Sequence, residues 1–475
     1  MDFGNFAKMV LAGFAIGYYA LALYLLVISP FIPSGDDTYI HLAKCLHFNL
    51  EEYLTQQYPN VVHALCHASS GGDLIKAITF WKVFVFTTAI LVPAAILYLA
   101  ARLPTTAFIA VALFLVGGGQ RYIQTIADGT VIYIFSFTTL IAYWALIRNN
   151  RHTAAGAALG LGTAHYFGVV NIIIALPSLL SKNTYRKTLI GFLIGAAPSI
   201  PKYINASLKI ASSQGVGQGG GAPLGLDLAI GYPFTKDPTV EYGLLYFTAF
   251  IATATYLLFK ARGYERAIAL SVLIYIATGL AVSRLGGEAA TSLALRLLRL
   301  FPIYATFFIA SVADKMPKGL HTLTLAMSAL LVVINAYLWP PIERITGDAL
   351  IQLYQMRQEI CQGQVLGVLQ VTPYLETICG FYVPLAPPQY YAGFAPEDPR
   401  ATLGKVAMEN LDNPSKLSQL GFKILVIQRP IEGMWYIPEL SALAETLYNN
   451  ATRYGKIIYE IHQGPIHILI IETYK

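Results

Sequence analysis

The sequence predicts an α-helical polytopic membrane protein of about eleven spans, with its N-terminus inside and a small α/β domain outside at its C-terminus. Three observations predict it. Of 475 residues, 56% are hydrophobic and only 12% are Asp, Glu, Lys or Arg, where soluble domains carry about 25% charged residues. The apolar residues gather in runs parted by short polar loops, and the bases collect in alternate loops. So little charge cannot wet a globule of this length, which excludes a cytosolic enzyme, a disordered chain and a nucleic-acid binder.

The apolar runs lie near 9–31, 79–101, 104–117, 130–147, 154–165, 167–181, 187–201, 241–259, 267–283, 293–311 and 319–339. Several fall short of the roughly 20 residues that a perpendicular span needs. The stretch 154–181 reads either as two half-length helices or as one long tilted helix. With the N-terminus in the cytoplasm, the inner loops hold Arg102, Arg148, Arg151, Lys182, Arg186, Lys187, Lys260, Arg262, Arg266, Lys315 and Lys318. Against them stand only Glu265 and Asp314, so these loops carry +9 in a chain whose total is +6. That asymmetry is the one the positive-inside rule requires. The first run is too long for a cleavable signal and has no small-residue cleavage site, so it reads as a signal anchor.

The same alternation places the loop 32–78, the loop 202–240, the short loop 284–292 and the tail from Pro340 outside. Trp339-Pro340-Pro341 ends the last span with an interfacial aromatic and two helix breakers. The chain thus divides into a membrane part, 1–339, and an external domain, 340–475. In that domain Gln364–Val371 and Phe422–Gln428 read as buried strands, and Ile457–Ile461 with Ile466–Ile471 as a hairpin. Pro438–Tyr454 has helical spacing, and Pro384–Pro399 reads as a loop. All four cysteines lie outside. Pairing them as Cys45–Cys66 and Cys361–Cys379 closes two short loops in an oxidising compartment; the alternative is four buried thiols. The sequons at Asn205 and Asn450 are also external. The glycine-rich stretch 212–225 lacks the flanking strand and helix of a phosphate loop and reads as flexible.

The chemistry-bearing residues gather at the outer interface. Gly35-Asp36-Asp37 follows the first span directly. The pair either caps a short helix running to Leu46 or supplies a general base whose neighbour tunes it. Two short interfacial helices are expected, over 37–50 with His41 and over 58–68 with Tyr58, His63 and His67. Asp128 lies in the second outer turn and His165 at the outer end of the fifth span. Arg296 and Arg299, spaced i and i+3, share a face of the tenth span, where they either snorkel or bind an anion. The spans themselves stay nearly free of charge.

On Gly35-Asp36-Asp37, the interfacial Tyr58-Pro59, the N-in/C-out plan and the external α/β domain, the chain resembles the GT-C superfamily of integral-membrane glycosyltransferases. The ending, with Gly421–Ile427 and Tyr454–Glu460, resembles the tails of archaeal and bacterial members. The resemblance implies a polyprenyl (dolichyl or undecaprenyl) phosphate-linked sugar as donor and a glycan, lipid or protein as acceptor, with inversion at the sugar. It implies Asp36 or Asp37 as the base, Arg296 and Arg299 with Arg284 behind them on the lipid phosphate, and His41, Tyr58, His63, Asp128 and His165 around the cavity. A WWDYG-type acceptor motif is absent, and Asp128 stands alone where a D-x-D pair would bind a cation. No metal or cofactor is therefore assigned; a divalent ion (Mg or Mn) would have only Asp36, Asp37 and Asp128. The implied place is the plasma membrane. A transporter or channel, and a polymerase or ligase of lipid-linked glycans, are the competing readings.

Overall fold

The computed structural model describes residues 36–50, 53, 61–92, 95–96, 131–164, 167–179, 185–201, 203–204, 254–284, 348–368, 371–387, 391, 398–430, 438–464 and 466–474. In chain order the helices before the sheet are α1 (Asp36–Leu46), α2 (Val61–Ser70), α3 (Leu74–Phe86), α4 (Val131–Arg148), α5 (His152–Leu161), α6 (Phe167–Leu179), α7 (Tyr185–Ala196) and α8 (Tyr264–Arg284). Then come α9 (Asp348–Gln355), α10 (Arg357–Ile360), β1 (Gln364–Val368), α11 (Thr372–Cys379), β2 (Val383–Leu385), α12 (Pro399–Glu409) and α13 (Pro414–Gln419). The chain ends with β3 (Phe422–Gln428), α14 (Pro438–Asn449), α15 (Ala451–Tyr454), β4 (Gly455–Gln463) and β5 (Ile466–Thr473). Its contacts divide it into two units, residues 1–24, 50–61 and 83–342, and residues 25–49, 62–82 and 343–475.

Helix α7 of the first unit carries an exposed apolar face. Leu189, Ile190, Leu193 and Ile194 of α7 are each more than half exposed. The first unit's buried side chains are mostly apolar, Leu140, Ile141, Trp144, Leu159 and Ile174 among them, with paired polar groups set between them. Asn171 donates to the carbonyl of Ser136 at 2.8 Å, the Ser136 hydroxyl donates to the carbonyl of Gly162 at 2.8 Å, and the Tyr143 and Ser178 hydroxyls meet at 2.8 Å. Apolar surface outside and paired polar groups inside is the arrangement a hydrocarbon solvent favours, because neither bare Leu nor a satisfied amide costs anything there.

Helices α5 and α7 pack through glycine. Gly156 and Gly160 on α5 face Gly191 and Gly195 on α7, each pair four residues apart. A Cβ on Gly156 would run into the carbonyl of Thr188, and one on Gly191 into the carbonyl of Thr153. The two backbones therefore touch, as in small-xxx-small contacts between membrane helices. The stretch 154–181 resolves into two helices, α5 and α6, with a 3-10 turn at Gly162–Ala164 after the first. Among the described residues no helix is both long and apolar enough to cross a membrane. The expected spans 9–31, 104–117, 293–311, 319–339 and most of 241–259 lie outside the described residues.

The second unit is built on a five-stranded sheet of order β2-β1-β3-β5-β4. β2, β1 and β3 are parallel; β5 runs antiparallel to both β3 and β4. The central strands are apolar on successive residues because both faces are covered: Leu366, Val368, Leu425 and Ile427 are fully buried, packed with Leu417 of α13 and Ala444 and Leu447 of α14. The expected strands and hairpin are present, the hairpin longer than expected at 455–463 and 466–473. Pro438–Tyr454 is two helices divided at Asn450. The expected loop 384–399 is entered by β2, which pairs Pro384 opposite Gly367. A proline lacks an N–H to offer the ladder, and β2 tolerates it as an edge strand. Asp398 caps α12 by accepting from the Arg400 amide at 2.9 Å, and Arg400 then reaches Glu376 of α11 at 3.2 Å.

Candidate active site

Helix α1 opens on Asp36 and Asp37. Thr38, His41, Leu42 and Cys45 are buried. Their spacing of i, i+3, i+4 and i+7 puts them on one helical face, so α1 sinks one stripe into the second unit.

Four attachments hold that stripe. The Cys45–Cys66 disulfide ties the end of α1 to α2. His67 of α2 meets the carbonyl of Cys45 through Nδ1 at 2.8 Å, which makes Nδ1 the protonated nitrogen. His41 Nδ1 and His63 Nε2 lie 2.9 Å apart, and the His41 ring rests on Trp81 of α3 with centroids 4.8 Å apart. Just past α1, His47 donates from Nε2 to the carbonyl of Thr377 in α11 at 3.0 Å. The second disulfide, Cys361–Cys379, fixes α11 to the segment before β1. Both cysteine pairs expected from the sequence are thus bonded, and the described residues include no free cysteine.

Burial sets the chemistry of the histidine pair. His41 is pushed down to about 3 by burial alone, so it stays neutral at physiological pH. His41 Nδ1 and His63 Nε2 are close enough to share a proton, and which nitrogen carries it depends on the tautomers. His63 is fully buried and His41 nearly so. The structure places both beneath α1 in its packing, a position suited to holding the helix.

Of the residues singled out from the sequence, Asp36, Asp37 and His41 lie on α1 and His63 on α2, and only His41 and His63 are seen in contact among the described side chains. Arg284 is the last residue of α8. Tyr58, Asp128, His165, Arg296 and Arg299 lie outside the described residues. Among the described residues no group of three or more His, Cys, Asp or Glu is placed to hold a metal ion. Sequence reasoning missed His47, Thr377 and Trp81 as supports of α1; only the Cys45/Cys66 pairing hinted that α1 and α2 pack together.

No family model matches the chain, and no curated protein matches it. Solved structures do. The likeness is one of fold. Arabinofuranosyltransferase AftD from Mycobacteria superposes with a TM-score of 0.50 at 12% identity, over 98% of this chain and 40% of its own. The chain therefore spans well under half the length of that neighbour. ArnT from Cupriavidus metallidurans, bound to undecaprenyl phosphate, superposes with a TM-score of 0.43 at 11% identity over 97% of each chain.

Proposed function

We propose that the chain is a membrane glycosyltransferase that moves a sugar from a polyprenyl phosphate to an acceptor hydroxyl on the outer face of the plasma membrane. The observation that carries this reading is the Asp36-Asp37 pair opening a helix with a disulfide and three histidine contacts behind it. A carboxylate that acts as a base must be held within reach of the proton it takes.

One of the two aspartates takes the acceptor's proton as the acceptor oxygen attacks the anomeric carbon. The bond from that carbon to the phosphate oxygen breaks with its electron pair leaving on the lipid phosphate. Attack opposite the leaving group inverts the configuration. Guanidinium groups of Arg296, Arg299 and Arg284 stabilise the departing charge where water is scarce. His41 and His63 hold α1 without exchanging protons with substrate. No step requires a metal.

The test uses cells lacking the protein and complemented with Asp36→Asn or Asp37→Asn, with lipid-linked and transferred saccharides followed by mass spectrometry. One variant is expected to lose transfer by about 10² or more with expression and melting unchanged. Full transfer in both variants overturns the assignment.

A further inference from the structure

The tip of the β4–β5 hairpin carries a cluster that sugar transfer does not use. His462 and His467 are cross-strand partners, one residue pair in from the closing pair Gln463–Ile466. Their Nδ1 atoms lie 2.6 Å apart, with ring centroids 4.5 Å apart. Glu460, two residues before His462 and so on the same face of β4, accepts from His462 Nε2 through Oε1 at 2.8 Å. The His462 side chain is half exposed.

We propose that His462 and His467 form a two-histidine site for a divalent transition-metal ion, of the zinc, nickel or copper class. Three features favour it. First, Glu460 keeps the His462 proton on Nε2, which leaves the Nδ1 lone pair pointing at its partner. A carboxylate behind a histidine is the usual outer support of a metal ligand. Second, two imidazole nitrogens on one tetrahedral ion, each about 2.0–2.1 Å from it, stand about 3.3 Å apart. The rings need to part by only about 0.7 Å, which a half-exposed side chain can do by a small χ rotation. Third, the hairpin backbone is already paired from Tyr459–Ile470 to Gln463–Ile466, so the strands around the two histidines are in place before an ion binds.

The proton balance is simple. In the metal-free pair His467 Nδ1–H donates to His462 Nδ1. On binding, the His467 proton moves to Nε2 and both Nδ1 lone pairs turn to the ion, whose remaining positions take water. Imidazole ligands select zinc, nickel or copper over magnesium. This site is independent of the Asp36-Asp37 reading, since Glu460, His462 and His467 all lie on the β4–β5 hairpin.

The experiment titrates Zn²⁺, and separately Mg²⁺, into the full chain purified without a histidine tag, by calorimetry at neutral pH. One Zn²⁺ per chain and no Mg²⁺ response are expected. His467→Ala or His462→Asn is expected to weaken Zn²⁺ binding at least tenfold, and Glu460→Gln by about 10–100-fold. A readout needing no variant is diethyl pyrocarbonate labelling of the wild type: Zn²⁺ is expected to protect His462 and His467 selectively. Absence of saturable Zn²⁺ binding, binding indifferent to both histidine variants, or labelling unchanged by Zn²⁺ overturns the proposal.

Discussion

If the Cys45–Cys66 bond is what keeps α1 seated, removing it should loosen α1 and α2 while sparing the sheet. The perturbation is the double variant Cys45→Ala with Cys66→Ala, since both cysteines are fully buried and serine would leave unpaired hydroxyls there. The sequence separation is 21. The chain-entropy relation then gives about 3.3 kcal/mol for the loop that the open state no longer has closed. At about 1.4 kcal/mol per decade, amide exchange within 36–46 and 61–70 should speed up by about 200-fold. The assay is hydrogen exchange read by mass spectrometry on the full chain in nanodiscs. Peptides from β3 and β5 serve as the internal standard, because their core is made with Leu447, Leu417 and Ala444 and contains neither cysteine. Unchanged exchange over 36–46, or acceleration shared equally by β3 and β5, would refute the reasoning.

Two further outcomes follow. His41 has its folded-state value depressed to about 3 from 6.5 by burial, so the unfolded chain binds the extra proton first. Its contribution is therefore fully present above pH 6.5 and is lost as the pH falls from 6.5 toward 3, at up to about 1.4 kcal/mol per pH unit. His41→Phe, which keeps a ring beside Trp81, should flatten that part of a melting-against-pH profile; an unaltered slope would count against the burial argument. In the first unit, Gly191→Val drives a side chain into the carbonyl of Thr153 and should cost about 1–3 kcal/mol or more as the helices part. Its neighbour Ile190→Ala, on the exposed face, should leave the melting temperature within a degree or two of wild type; equal losses in the two variants would show that the glycine contact is unimportant.

How much of this was legible depended on range along the chain. β1, β3 and the β4–β5 hairpin announce themselves by unbroken or alternating apolar residues, because a strand's burial is written into its own segment. β2 does not, being three residues with a proline in the middle. Nor do α10 and α13, too short for a helical period to repeat. The Gly156/Gly160 and Gly191/Gly195 spacing is visible in the sequence, but its meaning appears only when two such helices are set against each other. Around the candidate site, the two disulfides were readable from position and compartment. The partners of α1 were not. His47 meets Thr377 across 330 positions, and no local pattern marks a histidine that will donate to a distant carbonyl.

That long-range contact changes how the two parts of the chain relate to the proposed chemistry. Read along the sequence, the first loop belongs with the membrane part and the tail stands apart. By contacts, residues 25–49 and 62–82 belong with residues 343–475. Helix α1 rests on α11, and Gly380, held at a positive φ just after α11, leaves room for the His47 ring at about 3.2 Å from where a Cβ would stand. Any side chain there would press on His47 and strain the backbone as well. The helix that carries the two aspartates is thus held partly by a segment more than 300 residues away. A rigid general base costs entropy to hold. In the proposed reading that cost is offset by two covalent closures and by a sheet core in the same unit as α1.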